Sequence, residues 1–344
     1  MRTKLKGGAL LYVIAVSVII SVLTGTLILY SEYSRIEFTN YMQIERVNRN
    51  ALSGINFLLA DNDEIKLGEQ KQMDLFGEKM DFVSLQRKAW GAFELISSEA
   101  KWKNISAKQT ALTGYYPDTT LALYLSDLDR PLSLCGKTII KGKCYLPKAG
   151  VKRAYIEGQN FVGDKLIDGE VKESAQSLPP INEELLKQIY SFFNKSPEDY
   201  TLLAPEEIPD SIQNSFDKKT ICIYSPVAFE IGTKKILGNV VIISDKKIFV
   251  RRGASITDAI LFAPEIEFEQ NFSGCLQAFA TDTLKIGKEC NFSYPTVLGV
   301  TRNKLVSVSP LLSIDEKSTV DGIIFAYQEM YDSRFQVKIL LNKK

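Results

Sequence analysis

Histidine is absent from all 344 residues. That excludes Ser-His-Asp and Cys-His catalysis and histidine-ligated zinc or haem, and leaves carboxylate, lysine or tyrosine chemistry. A charge of one sign is lacking too. The 42 basic and 41 acidic residues nearly cancel, so neither a nucleic-acid surface nor an acidic tail is expected. Cysteine is sparse and odd in number: Cys135, Cys144, Cys222, Cys275 and Cys290. Their spacings of 9, 78, 53 and 15 contain no C-x-x-C knuckle. Cys135–Cys144 is the closest pair for a bridge outside the cytoplasm, but burial as small core residues is preferred in a chain this long. There is no P-loop, no GxGxxG after a strand and no DxDxDG calcium loop, so no cofactor is expected.

Charge is also missing from one long run, Ala9–Tyr30, 22 residues in all. As a helix this run is about 33 Å long, enough to cross a ~30 Å hydrocarbon layer. Lipid offers no partners to backbone N–H and C=O groups, so the run must be helical. Arg2, Lys4 and Lys6 precede it, and Glu32, Arg35 and Glu37 follow. The basic flank predicts a cytoplasmic N-terminus, with the rest of the chain outside the inner membrane. A cleaved signal peptide competes, but its apolar core is shorter and ends in an A-x-A-like site, which is lacking after Leu29.

From Ser31 to Asp61 the period stays helical. Ile44, Val47, Ala51, Ile55 and Leu58 form one apolar stripe, and Asn62 closes the run. The anchor is therefore expected to continue outward as an amphipathic stalk packed on the next domain. The segment KLKGGALLYVIAVSVIISVLTGTLILYSEYSRIEF resembles the N-terminus of type IV pilin-like proteins, nearest their atypical minor pilins and pseudopilins. The resemblance covers about 50 residues, and implies leader cleavage after a glycine, here Gly7 or Gly8. Most members carry glutamate at the fifth mature position. Tyr12 or Val13 stands there in this chain, a departure shared by the atypical minor members.

Residues 68–129 read as short strands, including Phe82–Arg87, Trp90–Ile96 and Trp102–Ala107. Trp90, Phe93 and Trp102 can form an aromatic platform, although large aromatics on alternating strands are more often core. Beyond Leu132, β-branched runs are punctuated by glycine. The segments DKKIFVRRGASI (245–256), PEIEFEQNFSG (264–274) and DTLKIGKECNF (282–292) superimpose with a step of 18. Ile248, Ile266 and Leu284 share one column, and Val250, Phe268 and Ile286 another. A short strand-and-turn period predicts a β-solenoid, with a sandwich of regular meanders as the competing account. The texture of 131–172 and 221–310 resembles the β-helical cores of bactofilin-type scaffold proteins. Between these parts, Pro179–Pro180, a capping Asn182 and the apolar face Leu185, Leu186, Ile189, Phe192 and Phe193 predict a helical insertion. Gly322–Tyr327 and Arg334–Leu341 are expected to close the chain as an antiparallel pair around Asp332–Ser333.

The expected organisation is mainly β: a basic leader and transmembrane helix (1–30), an amphipathic stalk (31–62), a β-meander (63–130), and a solenoid (131–344) with a helical insertion (176–219). Glu265, Glu267 and Glu269 share one strand face, and close carboxylates can serve glycoside cleavage. The repeat columns, however, place basic residues beside them, which favours paired surface charge. The N-x-S triplets at Asn104, Asn194, Asn271 and Asn291 matter only in a eukaryotic secretory host, and two of them suit turns of the repeat. The expectation is a single-pass, bacterial-type envelope protein, not an enzyme, with a structural or assembly role as pilin-like or scaffold subunit. Its partners would be the lipid bilayer, other envelope, secretion or pilus proteins, or further copies of itself. A membrane-tethered carbohydrate-active β-helix enzyme is the alternative.

Overall fold

The computed structural model describes residues 8–60, 64–77, 82–114, 120–156, 158–178, 186–187, 200–302, 309–328 and 338–341. The fold is mainly β, with about 49% of the described residues in strands and 20% in helix. It divides into two units, one of residues 1–88 and 95–113, the other of residues 89–94 and 114–344.

In the first unit a single 53-residue helix, α1 (Gly8–Ala60), precedes a sheet. The sheet has the order β1 (Gln70–Asp74), β2 (Phe82–Trp90), β3 (Phe93–Trp102), β4 (Ile105–Thr113), of which residues 89–90 and 93–94 belong to the second unit. β1 and β2 are antiparallel, pairing Gln70 with Gln86 and Asp74 with Phe82. Alternation turns Val83 and Leu85 of β2, and Ile96 and Ala100 of β3, onto the helix stripe Val47, Ala51, Ile55 and Leu58. Each large side chain so buried contributes about 1.5–3 kcal/mol. Ile44, expected in that stripe, is exposed, so packing begins one turn later than the periodicity suggests. Gly54 is required where helix and sheet touch, because a Cβ there would lie 2.1 Å from Ser98 Oγ and 2.7 Å from Leu85 Cδ2. Near the helix end, Arg87 donates a 2.7 Å hydrogen bond to the Leu58 carbonyl, one of the last four acceptors that a helix leaves without an internal partner. Asn62 lies outside the described residues.

The second unit opens with short ladders formed by β5 (Leu121–Tyr124), β6 (Leu132–Leu134), β7 (Lys143–Leu146), β8 (Val151–Arg153), β9 (Tyr155–Ile156), β10 (Gln159–Asn160) and β11 (Val171–Glu173). β5, β7 and β11 pair in parallel, as do β6 and β8, while β9 and β10 form a hairpin. Leu123–Tyr124, in the span expected to end the meander, thus already lies in a parallel ladder with Cys144–Tyr145.

The main stack follows: β12 (Thr201–Leu203), β13 (Ser211–Asn214), β14 (Ile221–Ser225), β15 (Phe229–Ile231), β16 (Lys235–Gly238), β17 (Val240–Ser244), β18 (Lys247–Val250), β19 (Ser255–Phe268), β20 (Ser273–Ile286), β21 (Asn291–Arg302), β22 (Leu311–Ile314), β23 (Thr319–Gln328) and β24 (Lys338–Leu341). All pairings in it among the described residues are parallel. Three ladders run along it. One joins β13, β16 and the starts of β19, β20, β21 and β23. A second joins β12, β14, β17, the middles of β19 and β20, and the ends of β21 and β23. The third joins β15, β18, the ends of β19 and β20, then β22 and β24. A chain that visits three ladders in turn, always in parallel, is a β-solenoid, here of about eight turns.

The 18-residue register is present: Lys247 pairs with Glu265, Ile248 with Ile266, and Glu267 with Lys285. Ile248, Ile266, Leu284, Val250, Phe268 and Ile286 all lie in one core cluster. At a corner, buried Asn214 donates 2.9 Å bonds to the Lys219 and Asn239 carbonyls, and Asn239 donates to Lys218 O at 2.8 Å. These bonds tie the 215–220 turn to Asn214 and Asn239, two buried side chains that are thereby given partners.

Two expectations are corrected or reshaped. The closing strands are not an antiparallel pair: β23 runs parallel to β21 and β24 parallel to β22, because each continues a ladder rather than turning back on its neighbour. Asp332–Ser333 lies outside the described residues. Within 176–219, Leu186 and Lys187 have helical backbone and Leu186 is buried; the rest of 179–199 lies outside the described residues. Thr201–Leu203 and Ser211–Asn214 enter the solenoid as strands, with a 3-10 turn at Pro205–Glu207 between them.

Candidate functional site

Two features stand out as candidates: the apolar length of α1 and the charged outer surface of the third ladder. The apolar stretch of α1 is nowhere buried by the rest of the chain. The apolar side chains from Leu10 to Tyr30 that the run supplies are exposed in nearly every case. By length and composition this helix can span a membrane. Its hydroxyls are satisfied locally. Ser17 donates to Ile14 O at 2.9 Å, Ser21 to Ser17 O at 2.8 Å, Thr24 to Ile20 O at 2.8 Å and Thr26 to Leu23 O at 2.9 Å. Of the residues read as leader and topology determinants, Gly8 opens the helix, whereas Arg2, Lys4, Lys6 and Gly7 lie outside the described residues.

On the third ladder, alternation sends Lys247, Phe249 and Arg251 outward from β18 and its end, and Glu265, Glu267 and Glu269 outward from β19. The expected stacking of opposite charges is found, with one refinement. Lys247 sits 4.0 Å from its ladder partner Glu265 but makes its short ion pair on the diagonal, with Glu267. Arg251 donates a hydrogen bond to Glu230 at 2.6 Å and forms an ion pair with Glu269 at 3.6 Å, and its guanidinium lies 4.4 Å from the centre of the Phe249 ring. The hydrogen bond from Arg251 holds the Glu230 carboxyl below its ordinary pKa. Glycoside cleavage requires one carboxyl to be kept protonated, which calls for burial or a like charge. Glu265, Glu267 and Glu269 are instead partly exposed and each lies within 4.0 Å of a cation, Lys247 or Arg251.

Trp90 and Phe93 belong to the second unit and Trp102 to the first. Trp90 is buried, edge-on to Phe216 at 5.2 Å, and donates from Nε1 to the Asp258 carbonyl at 3.1 Å. Trp102 packs against the helix–sheet core. The cysteines are free: Cys144, Cys222 and Cys290 are buried, Cys135 and Cys275 half-buried. Burial pushes the Cys222 thiol up to about 11.

One feature escaped the sequence reading. The second ladder is buried on both faces, with Val240–Ile242, Ile260–Phe262 and Ala278–Phe279 all inaccessible and Phe262 stacked on Phe279 at 5.2 Å. Gln277 on its outer face donates to Trp90 O at 3.0 Å and accepts from Ala92 N at 2.7 Å. The unbroken runs VVII (240–243) and ILFA (260–263) carried that signal, since a strand covered on both sides loses its polar alternation.

Comparison of the chain with protein-family models, with curated proteins and with solved structures finds no match.

Proposed function

We propose that this chain is a single-pass envelope protein, anchored in the cytoplasmic membrane by α1, whose ectodomain has a structural or assembly role. The observation that carries the proposal is the continuity of α1. An unburied apolar length runs without interruption into a stripe that is part of the core of the first unit. A helix so built fastens a folded domain to a bilayer. The basic N-terminal flank supports an inside N-terminus. The charge-paired outer face of the solenoid supports a scaffold or subunit that contacts other envelope proteins or further copies. The pilin-like and bactofilin-like resemblances belong to the same reading, with the leader removed after Gly7 or Gly8 in the pilin-like case. A tethered carbohydrate-active enzyme fits less well, because the carboxylates of the third ladder are matched to cations.

Alkaline carbonate extraction of membranes carrying the full chain tests the anchor. The chain is expected in the membrane pellet, and quantitative release into the supernatant would overturn the proposal.

A further inference from the structure

We propose that Tyr12 and Tyr30 are the two headgroup contacts that set the depth of α1 in a phospholipid bilayer. The inference rests on the anchor reading above and adds the register of the helix within the membrane. Tyr12 is 79% exposed and Tyr30 74% exposed. Tyr30 lies eighteen positions after Tyr12, about 27 Å along an α-helix, close to the ~30 Å thickness of the hydrocarbon layer. Tyrosine has an apolar ring and a polar tip, and so favours the boundary between acyl chains and headgroups.

The residues between and beyond the two rings support this register. No charge lies between them. Ser17, Ser21, Thr24 and Thr26 each donate to a carbonyl of their own helix. The span therefore presents no unmet donor to its surroundings, which suits lipid as its neighbour rather than a helix recognised through hydrogen bonds. Glu32 and Arg35, paired at 2.7 Å, begin half a turn beyond Tyr30. Sliding the helix inward by two turns would carry that pair into hydrocarbon, which is costly. Sliding it outward would lift Ile28 and Leu29 into water. Val47, the first residue of α1 buried in the unit's core, lies seventeen residues past Tyr30, about 26 Å farther along the helix. Glu32–Arg46 is then a spacer in water.

The test uses the full chain reconstituted in phosphatidylcholine vesicles brominated either near the headgroup or near the chain terminus, with tryptophan fluorescence as readout. Trp90 and Trp102 lie outside the span, and the unsubstituted chain supplies their background signal. Tyr12→Trp and Tyr30→Trp should lose more fluorescence with the shallow bromine. Ile20→Trp should lose more with the deep bromine, and Tyr41→Trp should match the background. Deep quenching of Tyr30→Trp or Tyr12→Trp, or quenching of Tyr41→Trp, with Ile20→Trp still quenched, would overturn the register and leave the anchor standing. An Ile20→Trp chain unquenched by either lipid would overturn the anchor reading itself, and the register with it.

Discussion

Replacing Phe268 by alanine should be one of the most damaging single truncations in the solenoid, while Glu267→Gln, one residue away, should be nearly silent. Phe268 is 1% exposed. It stands in the column of Val250 and Ile286, with the ring of Phe272 at 5.0 Å and that of Phe292 edge-on at 5.0 Å. Truncation removes the transfer free energy of the ring and leaves a cavity between coils that hydrogen-bonded strands cannot close, a cost of about 3–5 kcal/mol. Two lost ring pairs, worth about 0.5–1.5 kcal/mol each, place it in the upper half of that range. Glu267 points the other way. Its partner Lys247 and its own side chain are both 32% exposed, and pairs of this kind contribute about 0–1 kcal/mol. Denaturant unfolding of the full chain in detergent, followed by intrinsic fluorescence, measures both, because Trp90 lies within the solenoid unit. The solenoid transition should move far to lower denaturant for Phe268→Ala and little for Glu267→Gln. Equal shifts, or a silent Phe268→Ala, would refute the assignment of the two faces.

Two further outcomes follow from the same structure. The Cys222 thiol, raised from its ordinary 9.0 to about 11 by burial, should hold about 100-fold less thiolate at pH 8 than when unfolded, so iodoacetamide should label it only after denaturation. Because its folded value is the higher one, the associated stability is complete below about pH 9 and is lost as pH rises toward 11; rapid native labelling at pH 8 would contradict the burial. N-terminal sequencing of membrane-extracted protein separates the two structural readings: a start at Gly8 or Ala9 is the pilin-like outcome, and an intact Met1 or Arg2 leaves an anchored scaffold.

Legibility in the sequence followed the regularity of the coils. β18, the end of β19 and the end of β20 are 18 residues apart with no insertion between them, so their columns superimpose in the sequence. Where a coil carries extra residues the period disappears. Ser211 pairs with Lys235, and Thr283 with Leu311, steps too long and too unequal to show as repeats. Without a visible repeat, the sequence places Ser211–Asn214 in an insertion and the last strands in a local hairpin. The apolar part of α1 was legible because 22 consecutive uncharged, mostly apolar residues read as one helix. The extent of the stalk's packing was not, since Ile44 continues the periodicity of Val47 and Ala51 but is exposed. The double burial of the second ladder depends on tertiary contacts, Gln277 with Trp90 among them, which join residues far apart in the chain. Glu265, Glu267 and Glu269 were legible as an outward row, yet the diagonal choice of Lys247 for Glu267 was set by side-chain reach rather than by register.

The central claim, a helix that holds the folded units outside the cytoplasmic membrane, is tested most directly by adding protease to intact spheroplasts that carry the full chain. Digestion of the ectodomain with the outer surface alone exposed, leaving a membrane-embedded N-terminal fragment, is the result expected. Protection of the whole chain until the membrane is opened would contradict it.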